Sequence, residues 1–317
     1  MNNEFKRDIG SRDYNQLIDK LLNGFNKYLN FCYFQLIRET SSSEKICNYA
    51  KSMFVKFLNH SYSLLNLVNG TNIFKESKEL VKTIYDKDSI FVITRAILEN
   101  YITFFTIFIS PKTIEDKYFK LNSFIYCENN YLFKHHLNLM NDNEFINLTS
   151  ANSQKKTNDN ILKLIETEIS SSYNFILECK LFKNLSDSEK KMIIKEFNWK
   201  NNKSWIDLAT VASFRKSYFN YTYHVLSSSS HSGVLSTKIN NLNNELDNQY
   251  RELSYNTILM TLYILMKFIL EYSELNDLKE YLKSQKIFSE LINNLPHAIT
   301  IGIFTNNHGL INYLKNY

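Results

Sequence analysis

Glycine and proline are scarce in this chain of 317 residues, which contains 6 Gly and 2 Pro. A β-sandwich or β-barrel needs many turns, and these two residues are concentrated in turns. Nucleotide-binding enzymes of the Rossmann or P-loop type need a glycine-rich phosphate loop, and neither GxGxxG nor GxxxxGK[ST] occurs here. The shortage therefore argues against these classes and favours long helices.

Cysteine pairs, metal-ligand motifs and an apolar leader are also missing. The four cysteines are widely separated and form no CxxC pair, and there is no HExxH or paired ExxH motif. The first ten residues, MNNEFKRDIG, are too polar for the apolar part of a secretory signal. We therefore expect reduced thiols, a cytoplasmic location, no metal and no cofactor.

Arginine is rare among the basic residues, with 6 Arg among 37 Lys and Arg. The net charge of +5 is spread along the chain without a block of like charge, and it is too mild to identify a nucleic-acid binder. Where lysine is the usual cation, an arginine inside an apolar helix indicates a need for its planar set of N–H donors.

Apolar residues at helical spacing predict an all-α fold, an irregular bundle of about nine helices around a central apolar helix. We expect a bundle domain over 1–275, with the polar stretch 141–160 as a loop or internal boundary, and a helical extension over 276–317. The predicted helices cover 12–39, 41–69, 73–86, 89–110, 113–140, 161–182, 190–197, 204–232 and 240–273.

The segment 90–109 is the candidate central helix, and it carries Arg95 and Glu99 near its middle. It is long enough to cross a membrane, but two charges in lipid are unfavourable, so we expect a buried core helix and no membrane. Residues at i and i+4 lie on one helix face, and two ions withdrawn from water must be paired. The pair is either a structural tie between helices or an anion clamp in which Glu99 orients Arg95 for phosphate.

A second group of polar residues lies along the segment 211–233. At 100° per residue, one line of a helix would hold the polar residues Ser213, Ser217, Asn220, His224, Ser227 and His231. Hydroxyls, an amide and imidazoles without lysine are typical of a partly buried cleft, in which either histidine could transfer protons. The alternative is an ordinary solvated helix face.

These motifs resemble an uncharacterised bacterial helical family related to HEPN-type and abortive-infection proteins. The matching pieces are RAILE from Arg95 to Glu99, the aromatics Tyr218 and Tyr223, and SSSSH from Ser227 to His231, and the resemblance spans 45–275. Many of its relatives are ribonucleases or toxins of phage defence, which implies RNA or a nucleotide as ligand. The HEPN pattern RxxxxH on one helix is absent here, so a site of that kind would need Arg95 and His231 to meet in the fold.

Three hypotheses follow for the function of the chain. The first is a metal-independent nuclease or nucleotide-processing toxin with Arg95, Glu99, Ser227 and His231 as catalytic residues and Tyr218, Asn220, Tyr223 and His224 as binding residues. The second is a non-catalytic sensor that binds a ligand, a protein partner or a second copy of the chain. The third is a scaffold in which both polar groups only tie helices together.

Overall fold

The computed structural model describes residues 11–40, 44–74, 80–84, 86–140, 152–229 and 246–294. The fold is all-α, as predicted, with one short hairpin. The helices are Ser11–Phe31 (α1), Lys45–Asn69 (α2), Lys87–Phe104 (α3), Ile114–Met140 (α4), Asn152–Glu178 (α5), Lys180–Lys183 (α6), Asp187–Ile194 (α7), Trp205–Val211 (α8), Lys216–Ser229 (α9), Leu246–Leu275 (α10), Lys279–Ser284 (α11) and Lys286–Asn294 (α12). Helix α1 continues through a π-helical turn, Cys32–Leu36, and a last α-turn, Ile37–Glu39, while α3 continues through the π-helical turn Phe105–Ile109.

The helix predicted over 73–86 is wrong. Residues Thr71–Phe74 (β1) and Leu80–Ile84 (β2) form an antiparallel two-stranded hairpin with a register irregularity between Ile73 and Phe74. The charged sequence KESKE between them favours a helix by intrinsic propensity. The strands themselves contain the β-branched residues of TNIF and LVKTI, which favour extended structure, and this preference prevails.

The chain divides into two compact units. The first consists of Met1–Phe105 together with Trp205–Tyr317, and the second of Thr106–Ser204. The predicted division at 275/276 differs from this one. Of the stretch 141–160, residues 152–160 belong to α5 rather than to a loop, and 141–151 lie outside the described residues.

In the first unit, α3 packs against α2, α8, α9 and α10, which confirms the central apolar helix. Its first turn is capped by Asp86, whose side chain accepts a 3.0 Å hydrogen bond from the amide of Ser89. The core behind α3 is aromatic: the ring of Phe268 lies 4.2 Å from that of Phe104 and 4.9 Å from that of Phe54.

In the second unit, α4 and α5 form an antiparallel pair with the short helices α6 and α7 packed against α4. A capping box opens α7: the side chain of Ser186 accepts from the amide of Glu189, and that of Glu189 accepts from the amide of Ser186. Trp199 anchors the segment after α7, because its indole N–H donates to Glu128 at 3.2 Å.

The predicted helix 204–232 is interrupted, and this correction matters for the site. Helix α8 ends in a Schellman motif, in which the amide of Phe214 donates to the carbonyl of Ala209 at 3.0 Å and that of Ser213 to the carbonyl of Thr210 at 3.1 Å. Ser213 has a left-handed backbone, with φ 67°, in the position that glycine usually fills. Helix α9 then starts afresh at Lys216, so Ser213 does not share its polar line.

Within the described part of the chain, one helix is long and apolar enough to cross a membrane, and it is α3 with its π-helical turn, Lys87–Ile109. Half of its apolar window is buried inside the fold. Core helices of globular proteins meet the same criterion, so length and composition alone decide nothing here.

Candidate functional site

Arg95 and Glu99 form the expected ion pair on α3. Nε of Arg95 donates to Oε1 of Glu99 at 2.8 Å, the geometry that i and i+4 positions of a helix allow. The two side chains keep 27% and 26% of their surface exposed, so they lie at the edge of the core rather than inside it. Val92, one turn before Arg95 on α3, is 42% exposed.

Tyr223 on α9 completes the pair to a closed group of three, here called the Arg95 cluster (Arg95, Glu99 and Tyr223). Its hydroxyl donates to Oε1 of Glu99 at 2.7 Å and accepts from Nη2 of Arg95 at 3.0 Å. The guanidinium carbon also lies 5.1 Å from the centre of the Tyr223 ring, within cation–π range. Phe219, one turn earlier, supports that ring by stacking at 5.6 Å.

Near neutral pH, Arg95 stays charged and Tyr223 stays neutral. Burial, together with the hydrogen bond to Glu99, raises the pKa of Tyr223 to about 12, so the phenol keeps its proton. Burial by itself would lower the pKa of Arg95, but the hydrogen bond and the negative charge of Glu99 outweigh it and raise that pKa. The cluster therefore presents a permanently charged guanidinium in one orientation.

The expected cleft along α9 is wrong for four residues of the polar line. Ser213, Ser217, Asn220 and His224 are exposed. The core side of α9 is formed instead by Phe219, Tyr223 and Leu226, which face α3, and the opposite side of an amphipathic helix meets water. For Asn220 and His224 the structure thus gives the solvated face that was the alternative interpretation.

Three predicted site residues remain, Tyr218, Ser227 and His231. Tyr218 is half-buried, and burial raises the pKa of its phenol although a hydrogen bond with Thr222 opposes the rise. Ser227 is half-buried one helical turn after Tyr223, with its Oγ shielded from solvent. His231 lies in the segment 230–245, outside the described residues.

A second ionic group, missed from the sequence, lies deeper in the same unit. Lys267 and Glu271, at i and i+4 on α10, are 3.9 Å apart and keep 9% and 15% of their side-chain surface exposed. The hydroxyl of Tyr101 on α3 donates to both oxygens of Glu271 at 3.0 Å. We call these three residues the Lys267 cluster.

Burial controls the titration of the Lys267 cluster. It raises the pKa of Glu271 to about 7, against the opposing effects of Lys267 and of the Tyr101 hydrogen bond, and the charge of Glu274 adds to the rise. Burial lowers the pKa of Lys267, while the charge of Glu271 opposes this shift. Both shifts favour the uncharged forms, as expected for ions in a poorly solvated place.

The ammonium of Lys267 has a specific neighbourhood. It donates to the carbonyl of Ala212 at 2.9 Å, where α8 ends. It also lies 5.7 Å from the ring centres of Tyr101 and Phe105 and 5.8 Å from that of Phe214. The sequence signal was a lysine and a glutamate four residues apart beside an apolar run, but the Tyr101 and Ala212 partners are remote in sequence.

No group of three or more His, Cys, Asp or Glu side chains suited to a metal ion occurs among the described residues. The four cysteines are all buried free thiols, and burial raises the pKa of Cys32 and Cys127. A buried thiol of raised pKa is a poor nucleophile. The chemistry available in the described sites is thus that of guanidinium, carboxylate, phenol, hydroxyl and ammonium groups.

Comparison with known proteins gives a family but no function. No curated protein and no solved structure is significantly similar to the chain. The model of a family of unknown function, DUF5677, matches residues 60–250, which is more than half of the chain. The matched range includes the whole Arg95 cluster, together with Ser227 and His231, and ends before Lys267. The chain therefore belongs to the DUF5677 family.

Proposed function

We propose that the protein is a metal-independent, toxin-type nuclease or nucleotide-processing enzyme of phage defence, and that Arg95 binds the phosphate of RNA or of a nucleotide. The observation that carries the proposal is the Arg95 guanidinium, which is oriented by Glu99 and Tyr223 and still keeps 27% of its side chain exposed. A cation fixed in one orientation stabilises charge that develops on a phosphate without rearranging first.

The ion pair by itself contributes little to stability. A partly exposed i, i+4 ion pair contributes about 0.3–0.5 kcal/mol. Here the pair also has a phenol from another helix, a stacked ring beneath that phenol and a cation–π contact. A guanidinium that binds a carboxylate through its Nε edge has the planar set of donors that phosphate recognition uses, and this favours a ligand-binding role.

Proton transfer is assigned to His231, assisted by Ser227 and Tyr223. The spacing 223, 227, 231 repeats at one helical turn, and α9 is described as helical up to Ser229. An imidazole titrates near neutral pH and suits general acid–base catalysis. In RNA the 2′-hydroxyl would lose its proton and attack the adjacent phosphorus, while the 5′-oxygen leaves and takes up a proton, giving a cyclic phosphate and a 5′-hydroxyl end. The defence role rests on the resemblance of the motifs.

The test is cleavage of a short mixed-sequence RNA, and hydrolysis of nucleoside triphosphates, by the full chain in EDTA. We expect wild-type activity, a rate about 100- to 1,000-fold lower for Arg95→Ala, as for loss of one transition-state donor, and a comparable loss for His231→Ala. Arg215→Ala is the matched control, because Arg215 is exposed on the same unit and no part of the Arg95 cluster. Expression of the wild type should be toxic to bacteria, and the first two variants should relieve the toxicity while remaining folded.

A non-catalytic sensor is the second candidate. The outward face of α9 carries Tyr221, which is 72% exposed, beside the exposed His224, and aromatic residues are enriched where proteins associate. A protein partner or a second copy of the chain would then bind that face. Binding of RNA or nucleotide that depends on Arg95 without turnover would support a sensor of that ligand, and neither binding nor turnover would overturn both the enzyme and that sensor. A sensor of a protein partner or a second copy would instead lose this association when Tyr221 is replaced by Ala.

A further inference from the structure

We infer that Lys267 is a positioning residue for the Arg95 cluster: by binding the carbonyl of Ala212 it fixes the turn between α8 and α9, and so the place of Tyr223. Tyr223 belongs to a ligand site only if the proposed function holds, so in that respect the inference rests on it. The geometry that links Lys267 to Tyr223, however, can be tested without any ligand.

The carbonyl of Ala212, in the turn between α8 and α9, needs a hydrogen-bond donor, and Lys267 supplies it. The last four carbonyls of a helix have no partner within the helix. At the end of α8 the Schellman bonds use the carbonyls of Ala209 and Thr210, and Lys267 donates to that of Ala212 at 2.9 Å. A cation at this end also interacts favourably with the helix dipole. The buried side chain of Lys267 makes this contact from α10, which follows both α8 and α9 in sequence.

A continuous path of aromatic rings leads from this turn to the Arg95 cluster. Phe214, two residues after Ala212, lies 5.9 Å from Tyr101 and 6.1 Å from Tyr263, and 5.8 Å from Phe219. Phe219 stacks on Tyr223 at 5.6 Å, and Tyr223 bonds to Arg95 and Glu99. Since packed rings move together, the position of Phe214 influences how Tyr223 meets the guanidinium.

Glu271 and Tyr101 hold Lys267 in place. Glu271 lies 3.9 Å from the ammonium and accepts from Tyr101, whose helix α3 also carries Arg95 and Glu99. A lone ammonium among three aromatic rings would be costly to bury, and the carboxylate offsets part of that cost. The Lys267 cluster therefore joins α10, α3 and the α8–α9 turn at one point.

The test uses 3-fluorotyrosine placed at position 223 and ¹⁹F NMR of the full chain without ligand. In the wild type, Arg95→Ala should shift the resonance because the cation over the ring is lost. We expect Lys267→Met to shift it as well, and we expect a smaller additional effect of Arg95→Ala in the Lys267→Met background than in the wild type. This double-mutant cycle measures the link between the two sites directly.

The matched control is Tyr272→Phe on the same helix, α10. It removes a buried 2.7 Å hydrogen bond to Thr40, which connects α10 to the end of α1 and does not lead to α9. We expect the ¹⁹F resonance of this variant to remain at the wild-type position. An equal shift in Tyr272→Phe, or an unmoved resonance in folded Lys267→Met, would overturn the inference.

If the Lys267→Met variant does not fold, the Glu271→Gln variant tests the positioning role instead. This variant keeps the shape of the side chain and an acceptor for Tyr101 but removes the charge that faces Lys267. A shifted ¹⁹F resonance supports the positioning role, and an unchanged one rejects it. The two hypotheses remain distinguishable, because a protein with the ¹⁹F coupling but neither binding nor cleavage of RNA or nucleotide retains the positioning role and loses only the proposed function.

Discussion

Two clusters of a cation, a carboxylate and a tyrosine lie at different depths in one helical unit and can be compared directly. Each has a cation and a carboxylate at i and i+4 of one helix and a tyrosine from a second helix, and α3 contributes to both. In the Arg95 cluster the ions are 2.8 Å apart and about a quarter exposed, whereas in the Lys267 cluster they are 3.9 Å apart and 9% and 15% exposed. Depth and the choice of cation are what differ.

The difference shows what burial does to an ion pair. At the edge of the core, hydrogen bonds prevail over desolvation, the pKa of Arg95 rises and its charge is permanent. In the core, desolvation prevails, the pKa of Lys267 falls and that of Glu271 rises to about 7. The outer cluster is therefore suited to binding an anion, and the inner one to holding helices in register, with a charge that can change near neutral pH.

The largest expected effect is the loss of stability on removing the inner carboxylate. Glu271→Ala should lower the free energy of unfolding by about 3–5 kcal/mol, because it leaves a buried ammonium without its counter-ion. Glu99→Ala removes the matching carboxylate of the outer cluster and should lower it by only about 1–2 kcal/mol, for the partly exposed ion pair and the Tyr223 hydrogen bond together, since water reaches the remaining Arg95. Urea unfolding of both variants measures the contrast.

The double variant Lys267→Met/Glu271→Leu controls for the charge. It removes both ions and fills their volume with apolar groups, so it should be more stable than Glu271→Ala, although the hydroxyl of Tyr101 and the carbonyl of Ala212 lose the bonds made by Glu271 and Lys267. If Glu99→Ala and Glu271→Ala destabilise equally, depth does not separate the two clusters and the comparison fails.

The second largest effect concerns the pH dependence of stability. The pKa of Glu271 is raised from 4.5 to about 7, so its stabilising contribution is fully present below pH 4.5 and is lost as pH rises through about 7. In that window Glu271 should contribute a fall in unfolding free energy of at most about 1.4 kcal/mol per pH unit. The groups that act on this carboxyl are Lys267, Tyr101 and Glu274. Burial and, to a smaller extent, the charge of Glu271 raise the pKa of Tyr263.

Glu271→Gln isolates this contribution, because glutamine does not titrate. Unfolding free energies measured from pH 4.5 to 8 should fall less steeply with rising pH in Glu271→Gln than in the wild type. Parallel curves for the two proteins would mean that Glu271 has an ordinary pKa and that the inner cluster is charged throughout.

Local patterns in the sequence were enough for the ion pair of the outer cluster, but not for Tyr223, which lies 124 residues from Glu99. The Arg95–Glu99 bond follows from i, i+4 spacing, and the rarity of arginine drew attention to it. Although α2 begins at Lys45 and not at 41, the apolar periodicity predicted its end at Asn69 and the whole of α4 almost to the residue. These features succeed because the contacts that determine them lie within one or two helical turns.

The inner cluster depends on contacts between residues far apart in sequence. Tyr101 and Glu271 are 170 residues apart, and nothing in either helix alone predicts their meeting. The break after α8 was missed because Ser213, not glycine, adopts the left-handed conformation, and the polar line drawn through Ser213 was therefore wrong. Tertiary packing of Phe214 and the Lys267 bond to Ala212 stabilise a turn that local sequence does not mark.

The smallest expected effect removes one oxygen from the outer cluster. Tyr223→Phe keeps the ring that stacks on Phe219 and faces Arg95, but it loses the hydroxyl that donates to Glu99 and accepts from the guanidinium. We expect about 0.5–1.5 kcal/mol of lost stability, the net value of an ordinary hydrogen bond, and weaker binding of nucleotide or RNA in a fluorescence titration.

Tyr221→Phe is the matched control for that variant, because the same oxygen is removed from the same helix at a residue that is 72% exposed. It should change neither stability nor binding. If Tyr223→Phe lowers stability but leaves ligand binding at the wild-type level, the hydroxyl only ties α9 to α3, and the outer cluster is then structural in the same sense as the inner one. If binding weakens while Tyr221→Phe binds normally, orientation of Arg95 by the phenol contributes to recognition, and the contrast between the two depths extends from stability to function.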